Sequence, residues 1–265
     1  MSVVANVVAD IAKSRYITVN LDDSAEAIRR IMRDYGFRVV AVTDRGKFVG
    51  VISRAEILLV TGTKTEARAR DLVVQPKIVL EPSVGIVDAL KQMLRVDEWY
   101  APIVEKGYFK TFLGLEDIIE YMLEAHKSKL ENTRIKNIMT LKPVAVRPED
   151  PISSVWKLMI ELRYTGLPVV DSKGVIVGII TQYDLLRKGY ARIHLEAARG
   201  PAKTPKVKTV MTKPCTYLYP SSTALEAAVL MVNRNIGRIP VAEDSKTRRL
   251  VGIIDREDIA KLLLL

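Results

Sequence analysis

Gly178-Ile-Ile-Thr181-Gln-Tyr-Asp184 decides the fold, because the chain writes it again and again. The same order returns as Gly252-Ile-Ile-Asp255-Arg-Glu-Asp258 and as Gly50-Val-Ile-Ser53-Arg-Ala-Glu56, and a worn copy reads Thr111-Phe-Leu-Gly114-Leu-Glu-Asp117. The closing acidic residues step along the chain by 61, 67 and 74 positions. A period of that length is a whole supersecondary unit, so one reading of the unit serves for nearly the whole chain.

Working outward from Thr181, the third unit opens on a short apolar strand, Val144-Ala-Val146. Asp150 is a good helix N-cap and Pro151 suits the first helical position. Ile152, Val155, Met159 and Leu162 then fall at helical spacing. Leu167-Pro-Val-Val170 and Val175 to Ile180 read as two strands joined by the turn Asp171-Ser-Lys-Gly174, and Thr181 caps a second helix through Leu186. The unit is therefore strand, helix, strand, strand, helix. In the fourth copy it runs from the strand near Thr216 through helix Thr223 to Asn233, strands Ile239 to Ala242 and Leu250 to Ile254, and a helix from Glu257. In the first copy, helix Ser24 to Tyr35 precedes strands Val39 to Val42 and Phe48 to Ile52. In the second, helix Val84 to Leu94 is clear but the last strand, Lys110 to Leu113, is poor. The stripes Ile28, Ile31, Met32, Tyr35 and Leu225, Met231, Val232 are expected in cores or at interfaces, and Trp156 at a contact between repeats or chains.

Composition narrows the function classes. The 265 residues are 48% hydrophobic and 27% charged, enough to bury a proper core. The lone Cys215 rules out a disulfide framework within the chain, and with only His126 and His194 besides, neither a zinc site nor a Cys/His nucleophile pair is expected. No window approaches the ~20 apolar residues of a membrane span, so a soluble, cytoplasmic protein is expected. A net charge of +10 favours anionic partners, although a self-repelling soluble surface explains it equally. No Gly-Lys-Ser/Thr phosphate loop, no Gly-x-Gly-x-x-Gly after a strand and no nucleophile beside a base is found, so an enzyme is not expected.

The unit, with an apolar-Pro-Val strand before the hairpin and Gly-h-h-Thr-x-x-Asp after it, resembles the CBS domain. The openings Ile-Met139-Thr140 and Val-Met211-Thr212 are similar to that family too. Four copies in one chain resemble the gamma-subunit family of AMP-activated protein kinase and its archaeal relatives. The resemblance implies an α/β fold of four CBS repeats paired into two pseudo-two-fold modules. The first is expected at 1–125, with repeats at about 7–60 and 69–124, and the second at 126–265, with repeats at about 134–189 and 206–265. Such modules stack within one chain or between two chains of a dimer. The resemblance further implies adenosine ligands in the clefts between paired repeats. The acidic residue would hold the ribose hydroxyls, the hydroxyl residue would lie near the phosphate, and the partner repeat would supply backbone for adenine and a basic residue for phosphate.

Carried onto this chain, one site joins Thr181 and Asp184 with Arg238 and the strand near Thr216. A second joins Asp255 and Asp258 with Val144 and Thr165; a carboxylate at 255 would repel phosphate, which favours adenosine, a cation such as S-adenosylmethionine, a metal-bridged phosphate or no ligand. A third joins Asp117 with Arg38 and the strand near Ile17. The weaker fourth, Ser53 and Glu56 facing Trp99 and Tyr100, is expected to be filled by its own side chains. Every one of these acidic residues has a plain alternative: Ser53-Arg-Ala-Glu56 is a capping box, and Thr181 with Asp184 can cap in the same way. The expected function is a non-catalytic sensor of AMP, ADP or ATP that reports to an unidentified regulated protein. The alternatives are an adaptor with empty clefts and a nucleic-acid binder using Arg187, Lys188, Arg192, Arg199, Lys203, Lys206 and Lys208.

Overall fold

The structure is a computed structural model and describes residues 5–13, 16–60, 66–190 and 205–265. The first repeat holds β1 (Thr18–Asn20), α1 (Ala25–Tyr35), β2 (Val39–Asp44), β3 (Lys47–Ser53) and α2 (Arg54–Leu59). The second holds α3 (Ile86–Arg95), β4 (Tyr100–Glu105), β5 (Tyr108–Gly114) and α4 (Leu115–Ala125). The third holds β6 (Thr140–Leu141), α5 (Ile152–Glu161), β7 (Gly166–Val170), β8 (Ile176–Thr181) and α6 (Gln182–Arg187). The fourth holds α7 (Ala224–Asn233), β9 (Arg238–Ala242), β10 (Leu250–Asp255) and α8 (Arg256–Ala260). The chain is thus an α/β protein in which all four repeats share one element order.

Four local expectations are corrected. β5 is a full strand, paired with β4 from Tyr100↔Gly114 to Glu105↔Tyr108. Its alternation was obscured by Thr111, which is buried because its hydroxyl donates to the Lys13 carbonyl at 2.6 Å. α5 begins one residue late: the Asp150 carboxylate is taken by the Arg147 amide at 2.7 Å, leaving Pro151 as the cap residue. Tyr35 is 67% exposed, not core, because it ends α1 just before Gly36 turns the chain through φ 72°, and its ring stacks on Phe37. The opening strand of repeats two to four shrinks to single parallel bridges, Leu80↔Ile103, Val146↔Val169 and Leu218↔Val241.

Strands join successive repeats, and helices join alternate ones. The bridges Val51↔Val74 and Ile179↔Thr212 link repeats one to two and three to four, as does the pairing of β6 with β10. The apolar helix faces meet otherwise. Ile28, Met32 and Ile57 share a core with Val155, Trp156, Met159 and Leu185, which unites repeats one and three. Leu90, Ile118 and Met122 share another with Ala227, Met231 and Ile259, which unites two and four. The four repeats thereby close into a ring, and the stacking occurs within one chain.

The glycine that opens each copy of the repeated sequence has a steric reason. A Cβ at Gly50 would stand 2.6 Å from the Val74 carbonyl, at Gly178 3.1 Å from the Thr212 carbonyl and 2.8 Å from Met211 Sδ, and at Gly252 2.6 Å from Met139 Sδ. A segment of the neighbouring repeat crosses at each of these points. Where the glycine is missing, at Thr111, the side chain is used to bind a crossing carbonyl instead.

The contact between repeats two and four also contains a polar knot. Arg256 is 1% exposed; one terminal nitrogen donates to Glu116 Oε2 at 2.8 Å and to the Tyr100 hydroxyl at 3.0 Å, and the other donates to Asn235 Oδ1 at 3.0 Å. Tyr100 in turn donates to Glu116 Oε1 at 3.1 Å. Gly50→Ala should cost about 1–3 kcal/mol in urea unfolding, since a backbone carbonyl must move. Arg256→Met should cost about 3–5 kcal/mol, because it strips the cation from a buried carboxylate, and Arg256→Met with Glu116→Leu should recover much of that loss. A double variant as unstable as the single one would show that packing, not charge, sets the cost.

Candidate functional site

At the middle of the ring lies a cavity of about 1140 Å³ lined by all four repeats. It gathers Thr181, Asp184, Thr216 and Arg238, the members of the first expected site. It also gathers Ser53, Glu56, Trp99 and Tyr100, so the two clefts open into one space. Arg38, Thr165 and Asp255 line it as well, whereas Ile17, Asp117, Val144 and Asp258 do not.

The hydroxyl and acidic residues are spent on helix caps. Asp184 Oδ2 accepts from the Thr181 amide at 2.8 Å and its hydroxyl at 2.6 Å, and Oδ1 accepts from the Thr212 hydroxyl at 2.7 Å. Glu56 Oε2 accepts from the Ser53 amide at 2.7 Å, and Ser53 Oγ accepts from the Ala55 amide at 3.1 Å. Asp255 Oδ1 accepts from the Glu257 and Asp258 amides at 3.0 and 3.2 Å. The helix N-terminal amides that looked available to a phosphate are therefore partly occupied by their own side chains, as in a capping box.

The cations are held by rings and backbone carbonyls rather than by acids. Arg38, Arg54 and Arg238 all line the cavity. The Arg238 guanidinium lies 5.4 Å from the Trp99 ring centre and 5.9 Å from that of Tyr164, and Arg38 lies 6.0 Å from Trp99. All four repeats thus contribute one member to a single cation–π stack. Arg54 sits 4.6 Å over Tyr183 and donates through Nε to the Phe37 carbonyl at 2.9 Å. Burial, and then the Arg38 charge, pull the Arg54 guanidinium down to about 9. Arg238 is also lowered, by burial first, with Asp255 opposing and Arg38 adding to the fall. One Arg238 terminal nitrogen donates to the Gly166 carbonyl at 2.8 Å, while its buried Nε has no partner. These cations crowd one another in a partly desolvated space, an arrangement that an anion would relieve.

Arg54, Tyr164, Tyr183 and Thr212 were missed in the sequence. Arg54 was visible inside Ser53-Arg-Ala-Glu56 and Thr212 inside the Val-Met-Thr opening, but nothing local said that they face the same space. At the second repeat, Asp117 is 1% exposed, with its Oδ2 on the Gly114 amide at 2.7 Å. Nearby in the fold, the Tyr16 ring lies 5.0 Å from Phe112 and 6.4 Å from Tyr100, and the space lined by Tyr16, Tyr100, Glu116 and Arg38 is about 80 Å³. Ile17 is half-buried, and Val144 is 39% exposed. Among the described residues no cluster of His, Cys, Asp and Glu could hold a metal, and no helix is long and apolar enough to cross a membrane. Of the basic linker, Lys206 and Lys208 are bound to Glu149 at 2.6 and 2.8 Å, while Arg192, Arg199 and Lys203, like His194, lie outside the described residues.

Burial, followed by the neighbouring Asp255 charge, pushes Asp258 up to about 7. Its folded-state value lies above the ordinary 3.8, so the unfolded chain loses this proton first as pH rises. Its contribution to stability is complete below about pH 4 and is lost progressively up to about pH 7. Asp258→Asn should flatten the fall in unfolding midpoint across that window, and an unchanged slope would place the titration elsewhere.

The sequence profile of the CBS domain matches residues 8–61, 135–190 and 207–265. Over 266 residues the chain is 28% identical to the uncharacterized protein MJ1404 of Methanocaldococcus jannaschii, covering 97% of this chain and 61% of that one. It is 33% identical over 134 residues to a homoserine O-acetyltransferase of Methanococcoides burtonii, covering 51% of this chain and 25% of the enzyme. The chain therefore spans less than two thirds of the length of either relative. In fold it is similar to the crystal structure of MJ1225 from Methanocaldococcus jannaschii, named there as a candidate archaeal homologue of γ-AMPK, with a TM-score of 0.84 at 22% identity over 97% of this chain and 99% of that one. The second repeat escapes the profile, yet α3, β4, β5 and α4 follow the common order. A repeated β-α-β-β-α unit, three profile matches and a shared ring of four repeats lead to one conclusion: the chain belongs to the CBS-domain family.

Proposed function

We propose that this chain is a non-catalytic sensor that takes an adenine nucleotide into the central cavity and passes its occupancy to a partner protein. The observation that carries the reading is the meeting of Arg38, Arg54 and Arg238, drawn from repeats one and four, in one partly desolvated space. Guanidinium groups suit phosphate oxygens, and an anion would remove their mutual repulsion. Of the expected ligands, AMP, ADP and ATP fit this charge, whereas S-adenosylmethionine brings a further cation. Binding between repeats favours one relative orientation of the ring, and a partner that reads this orientation would sense the ligand. The regulated protein is taken to lie in the same cytoplasmic compartment, and energy sensing is the natural use of such a site.

Thermal unfolding with each of the four ligands tests this. AMP or ATP should raise the midpoint, by about 2.7 kcal/mol of stability at a hundredfold excess over the dissociation constant. Arg238→Met should abolish the shift while leaving the ligand-free protein folded. Asp184→Ala is a poorer probe, because losing the cap alone costs about 0.5–2 kcal/mol. No shift with any nucleotide, or an equal shift in Arg238→Met, would sink the reading.

A further inference from the structure

The charge of this chain is unevenly placed. Residues 134–265, the third and fourth repeats, hold 22 basic and 12 acidic residues, whereas residues 1–133 hold 19 of each. The whole net charge of +10 therefore belongs to one half of the ring. The cavity does not account for it, since two of its three arginines, Arg38 and Arg54, come from the neutral half.

Part of the excess gathers where the two hairpins of the basic half meet. Their turns are pinned together: the Leu250 amide donates to the Gly174 carbonyl and the Ile176 amide to the Arg248 carbonyl, each at 3.0 Å. Val170, Ile176, Ala242 and Leu250 cluster here with Ala145, Cys215, Tyr217 and Tyr219. Tyr217 and Tyr219 are half-buried, and their rings meet edge to face with centres 5.8 Å apart. Arg147 is the counterpart of Tyr219 in the third repeat: each follows a bridged residue, Val146 or Leu218, and precedes a proline. The second repeat has Val79 and Glu81 in the places of Tyr217 and Tyr219, so the neutral half lacks this pair there.

The acids around these rings are occupied, and the bases are not. Asp171 Oδ1 accepts from the Lys173 and Val175 amides at 2.9 Å, and Asp244 Oδ1 accepts from the Lys246 and Thr247 amides at 2.7 Å. Glu149 holds both Lys206 and Lys208, which leaves one positive charge over. Arg147, Lys173 and Arg248 are exposed and enter no ion pair among the described residues. The Val175 amide, first, holds the Asp171 carboxylate below its usual range, and the nearby Lys173 and Arg147 charges add to this. Partial burial and then Tyr217 raise Tyr219, with Asp244 and Arg248 close enough to act on it in opposite senses. Bases and rings thus share one strip, and none of Arg147, Lys173, Tyr217, Tyr219 and Arg248 lines the cavity.

A bare anion or an acidic protein face would use the cations of this strip and leave the tyrosines without a role. A duplex would present its phosphates but keep its bases stacked on one another. A single strand offers a line of phosphates together with free base faces, which suit cations set beside aromatic rings. We infer that this edge of the ring binds single-stranded nucleic acid, with phosphates on Arg147, Lys173 and Arg248 and a base against Tyr219. This function is separate from nucleotide sensing and does not depend on the cavity being filled.

Fluorescence anisotropy of the full chain with a labelled strand of about 16 nucleotides, as RNA and as DNA, tests the inference. The competitors are the matching duplex, inorganic polyphosphate, a polyglutamate peptide and AMP. Three free bases and the surplus charge at Glu149 make about four phosphate contacts, so affinity should fall with salt at a logarithmic slope of about −3. Tyr219→Leu should weaken strand binding about tenfold, Tyr219→Phe should retain it, and polyphosphate should bind all three proteins alike. Arg248→Asn, at a φ of 50° that asparagine tolerates, should lower the slope by about 0.7. Either sugar supports the inference, and a preference between RNA and DNA names the natural source. A duplex that binds as tightly as the strand, or a Tyr219→Leu protein that binds it undiminished, would show a contact of charge alone and overturn the inference. A polyglutamate peptide that competes equally would point to an acidic protein and overturn it too. Displacement by AMP would place the strand in the cavity, which overturns this inference and leaves the adenine reading standing. No binding of either strand at about 0.15 M salt also overturns it, whatever the variants do.

Discussion

No repeat of this chain can bury its own helices. Each unit is a hairpin with two helices on it, and the helices expose an apolar face that only another repeat can cover. The faces of repeats one and three meet around Trp156, and those of two and four around Met122 and Met231. Since strands already tie one to two and three to four, this demand for burial closes the ring. The cavity at its middle follows from that closure, as does the meeting of arginines from opposite ends of the sequence.

The two inter-repeat helix contacts are solved differently. Arg54 and Arg256 stand at the same place in their repeats, directly after the capping residue. Arg256 is buried against Glu116, with Tyr100 and Asn235 completing its partners. Arg54 meets Tyr183, the counterpart of Glu116, and so has a ring instead of a carboxylate. Its guanidinium is held by the Phe37 and Gly36 carbonyls rather than by an acid. One substitution in the repeat thereby gives two equivalent arginines different partners.

The same division runs through the repeated acidic residues. Their spacing from the residue three positions earlier makes a cap, and all four use it: Glu56, Asp117, Asp184 and Asp258 each accept from that residue's amide. Capping is decided locally, within one turn of helix, so it was legible in the sequence. Exposure to the cavity depends on what another repeat lays over the site. Asp117 is 1% exposed and does not line the cavity, whereas Asp184 does, and no local pattern separated the two. The strand β5 was obscured for a related reason, since burial of Thr111 rests on a carbonyl 98 residues away.

The sequence by itself determined the unit, its four copies and the order of elements, and it offered capping as one use of the repeated acidic residues. These rest on periodicity, turn chemistry and hydrogen bonds spanning a few residues, which are written where they act. The resemblance to the CBS domain also pointed to Thr181, Asp184, Thr216 and Arg238 as neighbours, and all four line the cavity. Only the tertiary structure decided that the two halves stack within one chain and that two clefts merge. It alone placed Arg38 and Arg238 on one tryptophan. Those outcomes depend on which apolar face finds which, a property of the surfaces in space that no single stretch of sequence contains.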